Sequence, residues 1–302
     1  MATTQQGVTV RTRAAVGGFV ALAAVAGLGV YLGRTDFGID IPLPRPARSC
    51  TVAAPADQLP AGAAGNLTLN PEQMANAATI SAVGVTMGMS EEAVVVALAT
   101  AFQESKLENL AGGDRDSIGL FQQRPSQGWG TPEQIRDPRY AATKFYAGLK
   151  KVRGWEDMRV TEAAQAVQRS AFPELYEQWK DESQLLASAL VGKASGAVAC
   201  TVGREPAVRG NAAAAGLVDG LLLDWGQVQT ASPAELLGLT VAAADSQVGW
   251  RYAHWLVSHA GDHGVKRVRF GDREWTADEG EWSRIDGTAG AGEVVAEVFG
   301  DS

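Results

Sequence analysis

The chain has 302 residues, 46% hydrophobic and 20% charged, which is a globular composition with room for about two domains. Its formal net charge of −8 excludes the broad basic surface that nucleic-acid binding requires. The same charge gives no attraction to an anionic lipid surface.

The N-terminus departs from this composition. Ala14 to Gly33 carries no charge and is about as long as a helix that crosses ~30 Å of hydrocarbon. Arg11 and Arg13 precede it and no acidic residue does. The positive-inside tendency then predicts a cytoplasmic tail over 1–13, a transmembrane helix over 14–33 and everything after Arg34 outside the cytoplasm. A cleaved signal peptide is the alternative, but no small-x-small site follows Leu32. Both readings export the rest of the chain; the first makes this a single-pass protein of the cell membrane.

Residues 34–70 are rich in Pro, Ala and Gly and read as an extended linker. Cys50 and Cys200 are the two cysteines and bracket the helical segment that follows. In an oxidising compartment a disulfide between them would close the ends of that segment; the alternative is two unpaired thiols.

Helical spacing starts at Asn70, an N-cap with Pro71 at the first helical position. Ser90 caps a second helix, with Glu91 and Glu92 in its positive first turn. That helix, AVVVALATAFQES, is apolar on nearly every side and therefore buried. Glu104 and Ser105 close it. A loop over 111–131 contains Gly119-Leu-Phe-Gln-Gln-Arg-Pro125, and three further helices lead to Leu190.

Residues 193–212 read as a second linker, and 213–302 as a small α+β domain. Its expected elements are a helix between Pro233 and His263, a strand over 265–270, a turn at Gly271-Asp272, a returning strand over 273–276, and a last strand over 293–299.

Glu104-Ser105 followed fifteen positions later by Gly119-Leu-Phe-Gln122 resembles the signature of lysozyme-like lytic transglycosylases and goose-type lysozymes. The resemblance covers about residues 71–192. It implies an α, lysozyme-like domain, preceded here by the transmembrane helix and followed by the α+β domain. It implies cleavage of the MurNAc-GlcNAc β-1,4 bond of peptidoglycan, with Glu104 as catalytic acid/base and no cofactor. By the same correspondence Ser105 orients the glutamate or contacts substrate, and Gly119 and Gln122 become substrate-cleft residues. The alternative is a lysozyme-like module that binds glycan or scaffolds the envelope without cleaving.

The residues themselves agree with the chemistry. Breaking a glycosidic bond needs a proton delivered to the leaving oxygen. A carboxyl at the end of an apolar helix is desolvated and titrates high, as in the lysozyme example of this effect. Glu108 is the internal rival, in a more polar stretch. A hydrolase would need a second carboxylate to activate water, for which Asp114 and Asp116 are candidates; a transglycosylase needs none. Trp129 and Tyr146 are the aromatics chosen for stacking on sugar rings, with Tyr140 and Trp155 behind them.

The chain departs from the family at the later Tyr-Asn-x-Gly motif, replaced by Gln168-Arg-Ser-Ala171. That motif supplies a tyrosine to the catalytic glutamate, and Tyr176 or Gln168 are the substitutes. In the C-terminal segment, His259 and His263 are spaced i,i+4, but Gly261 and Gly264 make a poor platform for a metal. The stretch from Trp250 to Trp275 weakly resembles peptidase-related wall-protein domains and lacks their metal ligands, so it reads as a metal-free module for wall or envelope-protein binding.

Overall fold

The first described strand, β1 (Ser49–Ala53), pairs antiparallel with β2 (Asn66–Leu69) on one side and β3 (Val198–Thr201) on the other. This register sets Cys50 opposite Cys200, and the two form a disulfide. These assignments come from a computed structural model that describes residues 48–301 apart from 55, 59–64, 171–172, 204 and 290–291. The expected transmembrane segment 14–33 lies outside the described residues. Among the described residues no helix is long and apolar enough to cross a membrane.

Helix α1 (Pro71–Thr86) begins with a reciprocal cap: Asn70 Oδ1 accepts from the Gln73 amide, and Gln73 Oε1 accepts from the Asn70 amide. Helix α2 (Glu91–Ser105) starts at Ser90 and is buried from Ala93 through Phe102. Around these two lie α3 (Pro132–Ile135), α4 (Pro138–Leu149), α5 (Val160–Gln168) and α6 (Lys180–Leu190). A 3-10 turn over Pro173–Trp179 joins the last two.

The second half contributes α7 (Gly210–Trp225), α8 (Ser246–Ser258), the short α9 (Ala260–His263) and an antiparallel sheet. Its strands are β4 (Thr230–Ala231), β5 (Gly238–Ala242), β6 (Val265–Thr276), β7 (Trp282–Ala289) and β8 (Glu293–Val298), in the order β4-β5-β8-β6-β7. Alternate residues of β8 are buried, as expected of a sheet with one covered face. Helices α7 and α8 pack on this sheet and, with their other sides, on α1. They form a middle layer between the sheet and the helical half.

This overturns the expected fold class. Helices and two antiparallel sheets share one apolar core, and residues 46–302 are one compact unit rather than an α domain followed by a separate α+β domain. β1, β2 and β3 fall in stretches whose Pro, Ala and Gly content reads as linker. Such short strands carry almost no periodic signal and gain their stability from pairing. Helix α7, rich in Ala and Gly, carries little periodic signal for a related reason: Gly220 is what lets His263 and Trp255 approach it closely. The expected hairpin turn at Gly271-Asp272 is instead an irregularity within the continuous strand β6.

Two buried polar groups fasten the halves together. Asp224 on α7 has a fully buried carboxylate. Its Oδ2 accepts from Thr79 Oγ1 of α1 and from Trp255 Nε1 of α8, both at 2.7 Å. Its Oδ1 faces Arg139 Nε of α4 at 2.5 Å, an ion pair without good hydrogen-bond alignment. His254 on α8 is the second: Nδ1 donates to the Ala189 carbonyl at 2.7 Å, and Nε2 accepts from the Ala197 amide at 3.0 Å. That pairing requires a neutral ring.

Burial holds His254 down at about 4, against its usual 6.5. The unfolded chain therefore takes up a proton that the folded chain refuses, so stability is full above pH ~6.5 and is lost as pH falls toward 4. The loss amounts to about 3 kcal/mol. Melting temperature measured across this range should fall for the native chain, and the slope should be shallower in His254→Gln. A parallel slope in both would assign the effect elsewhere. Reduction of Cys50–Cys200, which closes a separation of 150 residues, should lower stability by about 5 kcal/mol in denaturant melts.

Candidate active site

Glu104 occupies the last turn of α2, immediately before the chain leaves the helix through two left-handed residues, Lys106 (φ 58°) and Leu107 (φ 63°). Its carboxyl is partly buried. Tyr176 Oη donates to Oε1 at 2.6 Å, and Gln168 Nε2 approaches the same oxygen at 3.4 Å. Tyr176 is itself buried and hydrogen-bonded to the Ser170 side chain. Desolvation raises the Glu104 pKa above its usual value, and the two donors oppose that rise without cancelling it. Burial, and then the Glu104 charge, push the Tyr176 phenol upward, so it stays a donor.

The two residues named as substitutes for the missing tyrosine motif thus both reach Glu104. Gln168 ends α5, and its amide also donates to the Phe121 carbonyl at 2.7 Å. The helix then stops at Arg169 in the left-handed conformation (φ 55°).

Ser105 is buried. Its hydroxyl donates to the Leu120 carbonyl at 2.8 Å and contacts the Ala101 carbonyl at 3.1 Å. It therefore clips the Gly119–Gln122 loop to the end of α2. That loop is a small hairpin closed by reciprocal backbone bonds between Ile118 and Gln123. Phe121 packs inward and stacks on Phe145, with ring centroids 4.8 Å apart.

Gly119 has φ 76°, and a Cβ there would lie 2.7 Å from the Ile135 carbonyl oxygen. It is required for the loop to pass α3. Gln122 folds back over its own loop: Nε2 donates to the Gly119 carbonyl, and its Oε1 fills the space where Gly113 has no side chain. Sequence reasoning assigned Ser105, Gly119 and Gln122 to substrate; the structure gives each of them a loop-building role.

The remaining candidates separate clearly. Tyr146 is fully buried, with its hydroxyl donating to the Ile80 carbonyl, so it belongs to the core. Asp114 is exposed beside Arg115. Asp116 accepts from the Ser126 amide at 2.8 Å and from Arg124 Nε at 2.6 Å. Hydrogen bonds from Ser126, then from Arg124, hold its carboxyl well below the usual range. It is a loop staple and a weak base.

Trp129, half-buried, lines a cleft of about 640 Å³ with Gln127, Lys151, Val167, Gln168 and Arg169. Its carbonyl accepts from Tyr140 Oη at 3.1 Å. Gln168 is the link between this cleft and Glu104. Lys151 and Arg169 were not found from sequence; no pattern in the chain marks them, because only the folded helices bring α4 and α5 to one opening.

Among the described residues no group of three His, Cys, Asp or Glu side chains could hold a metal ion. His259 lies between Asp224 and Asp262, and His263 packs on Trp255. No family model matches the chain, and no curated protein is similar to it.

Removing the phenol removes a donor that favours the Glu104 carboxylate. In Tyr176→Phe the Glu104 carboxyl should therefore titrate at higher pH than in the native chain, followed by carbon-detected NMR. An unchanged or lower midpoint would mean that Tyr176 does not stabilise the anion.

Proposed function

We propose that the chain is an extracytoplasmic glycosidase that cuts the β-1,4 bond between MurNAc and GlcNAc in peptidoglycan, with Glu104 as the only acid/base. The observation that carries this reading is the state of Glu104. It is a desolvated carboxyl of raised pKa, held on one oxygen by Tyr176 and Gln168, and Gln168 links it to a cleft of about 640 Å³. A carboxyl whose protonated form burial favours is what the leaving oxygen of a glycoside needs. The disulfide supports an oxidising compartment outside the cytoplasm.

In this mechanism Oε1 accepts from its two donors, and Oε2 carries the proton that passes to the glycosidic oxygen. The resulting carboxylate then takes the proton from the C6 hydroxyl of the muramyl residue as that oxygen attacks its own anomeric carbon. The product is a 1,6-anhydro sugar, and no water is consumed. Asp114 lies at the surface and Asp116 is committed to Arg124 and Ser126. That favours this route over hydrolysis, which would need a second carboxylate to activate water.

Residues 213–302 serve in this reading as part of the same body. Asp224 fixes Arg139 at the start of α4, and the neighbouring Tyr140 holds the Trp129 wall of the cleft.

Glu104→Gln should lower release of soluble muropeptides from purified wall by about 10²–10⁴-fold. Mass spectrometry of the native products should show termini lighter by one water than hydrolytic ones. Equal release by native and variant chains would remove the enzyme reading and leave a glycan-binding module.

A further inference from the structure

Most basic residues near this site are matched by acids. Arg124 meets Asp116, Arg139 meets Asp224 and Asp137, and Arg159 meets Glu162 and Glu174. Such matching is unsurprising in a chain with 34 acidic and 26 basic residues. Lys151 and Arg169 are different. Both line the cleft beside Glu104, both are exposed, and among the described residues neither has an ion-pair or side-chain hydrogen-bond partner. No carboxylate lines the cleft with them. The cleft therefore carries two unmatched positive charges in a protein of net charge −8.

The backbone adds a second observation. Among the described residues Arg169 is one of five non-glycine residues with φ in the left-handed region, and it directly follows Gln168, the residue that touches Glu104. Glycine would hold this helix-ending conformation without strain. An arginine there costs the fold something that its packing does not return, since the side chain is exposed and unpaired. Strain retained next to a reactive group points to a functional demand on the side chain.

We propose that Lys151 and Arg169 form a subsite for a carboxylate carried by the glycan, so that the cleft selects acidic over neutral β-1,4-linked sugar chains. This rests on the glycosidase reading for the cleft's occupant. The Trp129 face and the Val167 side chain supply apolar contact for a sugar ring, which neutral and acidic glycans share. The two cations supply what a neutral glycan cannot use. Arginine offers a planar pair of donors suited to a carboxylate, and lysine a mobile point charge. The carboxylate has two sources in peptidoglycan: the lactyl group of a muramyl residue that bears no peptide, or the end of a peptide where one is attached.

The test uses the full chain carrying Glu104→Gln, so that binding is read without cleavage. Its affinity is measured for chitin, for peptidoglycan glycan stripped of peptides by an amidase, and for intact peptidoglycan. The stripped glycan should bind at least about tenfold more tightly than chitin, the scale of one charge-assisted contact. Added Lys151→Ala and Arg169→Gly should erase that advantage, lowering affinity for the acidic glycan far more than for chitin, and Arg169→Lys should retain part of it. Because glycine suits the left-handed position, loss of binding in Arg169→Gly cannot be put down to misfolding. An advantage seen only with intact peptidoglycan supports the subsite and assigns the carboxylate to the peptide. Equal affinity for chitin and both wall polymers, no binding to any, or a preference that survives in the double variant overturns the proposal. Failure of the glycosidase reading would look different: selective binding by the native chain with no product released.

Discussion

A carboxylate taken out of water must be surrounded by donors, and the position of Asp224 makes that requirement organise the whole fold. Its two oxygens are met from three other helices: Thr79 on α1, Arg139 on α4 and Trp255 on α8. Removing one partner of such a buried set typically costs about 3–5 kcal/mol. The register of α1, α4, α7 and α8 is thereby fixed to within hydrogen-bond tolerance. The consequence reaches the cleft, because Arg139 is followed by Tyr140, whose hydroxyl supports the backbone of Trp129. The C-terminal sheet and its helices are thus coupled to the wall of the site although none of their residues enters it.

Around Glu104 opposing effects of similar kind set the balance. Burial of the α2 terminus disfavours the charged carboxylate, while the Tyr176 hydroxyl and Gln168 amide favour it, and burial wins. The cost in backbone conformation gathers at the same place. Lys106, Leu107, Gln122 and Arg169 all adopt left-handed φ, and each lies in the segments that carry Glu104, its covering loop or its amide partner. Ser105 is the hinge of this arrangement, since its single hydroxyl holds the loop carbonyl of Leu120 to the helix that presents the acid.

Much of the helical half was legible from sequence. The caps at Asn70 and Ser90 satisfy their own helix starts within three residues, so they need no tertiary context. The uninterrupted apolar run of α2 announces burial because no face of it is fit for water. The run Val265–Phe270, which alternates and forms the first part of β6, was equally readable. What failed to show was whatever depends on partners distant in the chain. β1 and β3 are four or five residues each, too short to declare a period, and exist because Cys50 and Cys200 face one another across 150 positions. Helix α7 begins Gly-Asn followed by four alanines and looks like a spacer until Gly220 is seen against His263 and Trp255. Tyr146 and Tyr176 are both tyrosines near helices; nothing local says that one is core and the other reaches the acid.

The sequence by itself determined that the Glu104 carboxyl is withdrawn from water. Glu104 at the end of a helix with no polar face would be desolvated in any fold that buries that helix. It also determined the tight loop that follows, through Gly119 and Pro125, because local sterics and apolar patterning act over a few residues. Tertiary structure alone decided which groups attend the acid, which of the candidate carboxylates are occupied elsewhere, and that the two halves share one core. Those outcomes rest on hydrogen bonds, ion pairs and packing between residues scores of positions apart. Their energies depend on distance in space, and chain order does not encode that distance.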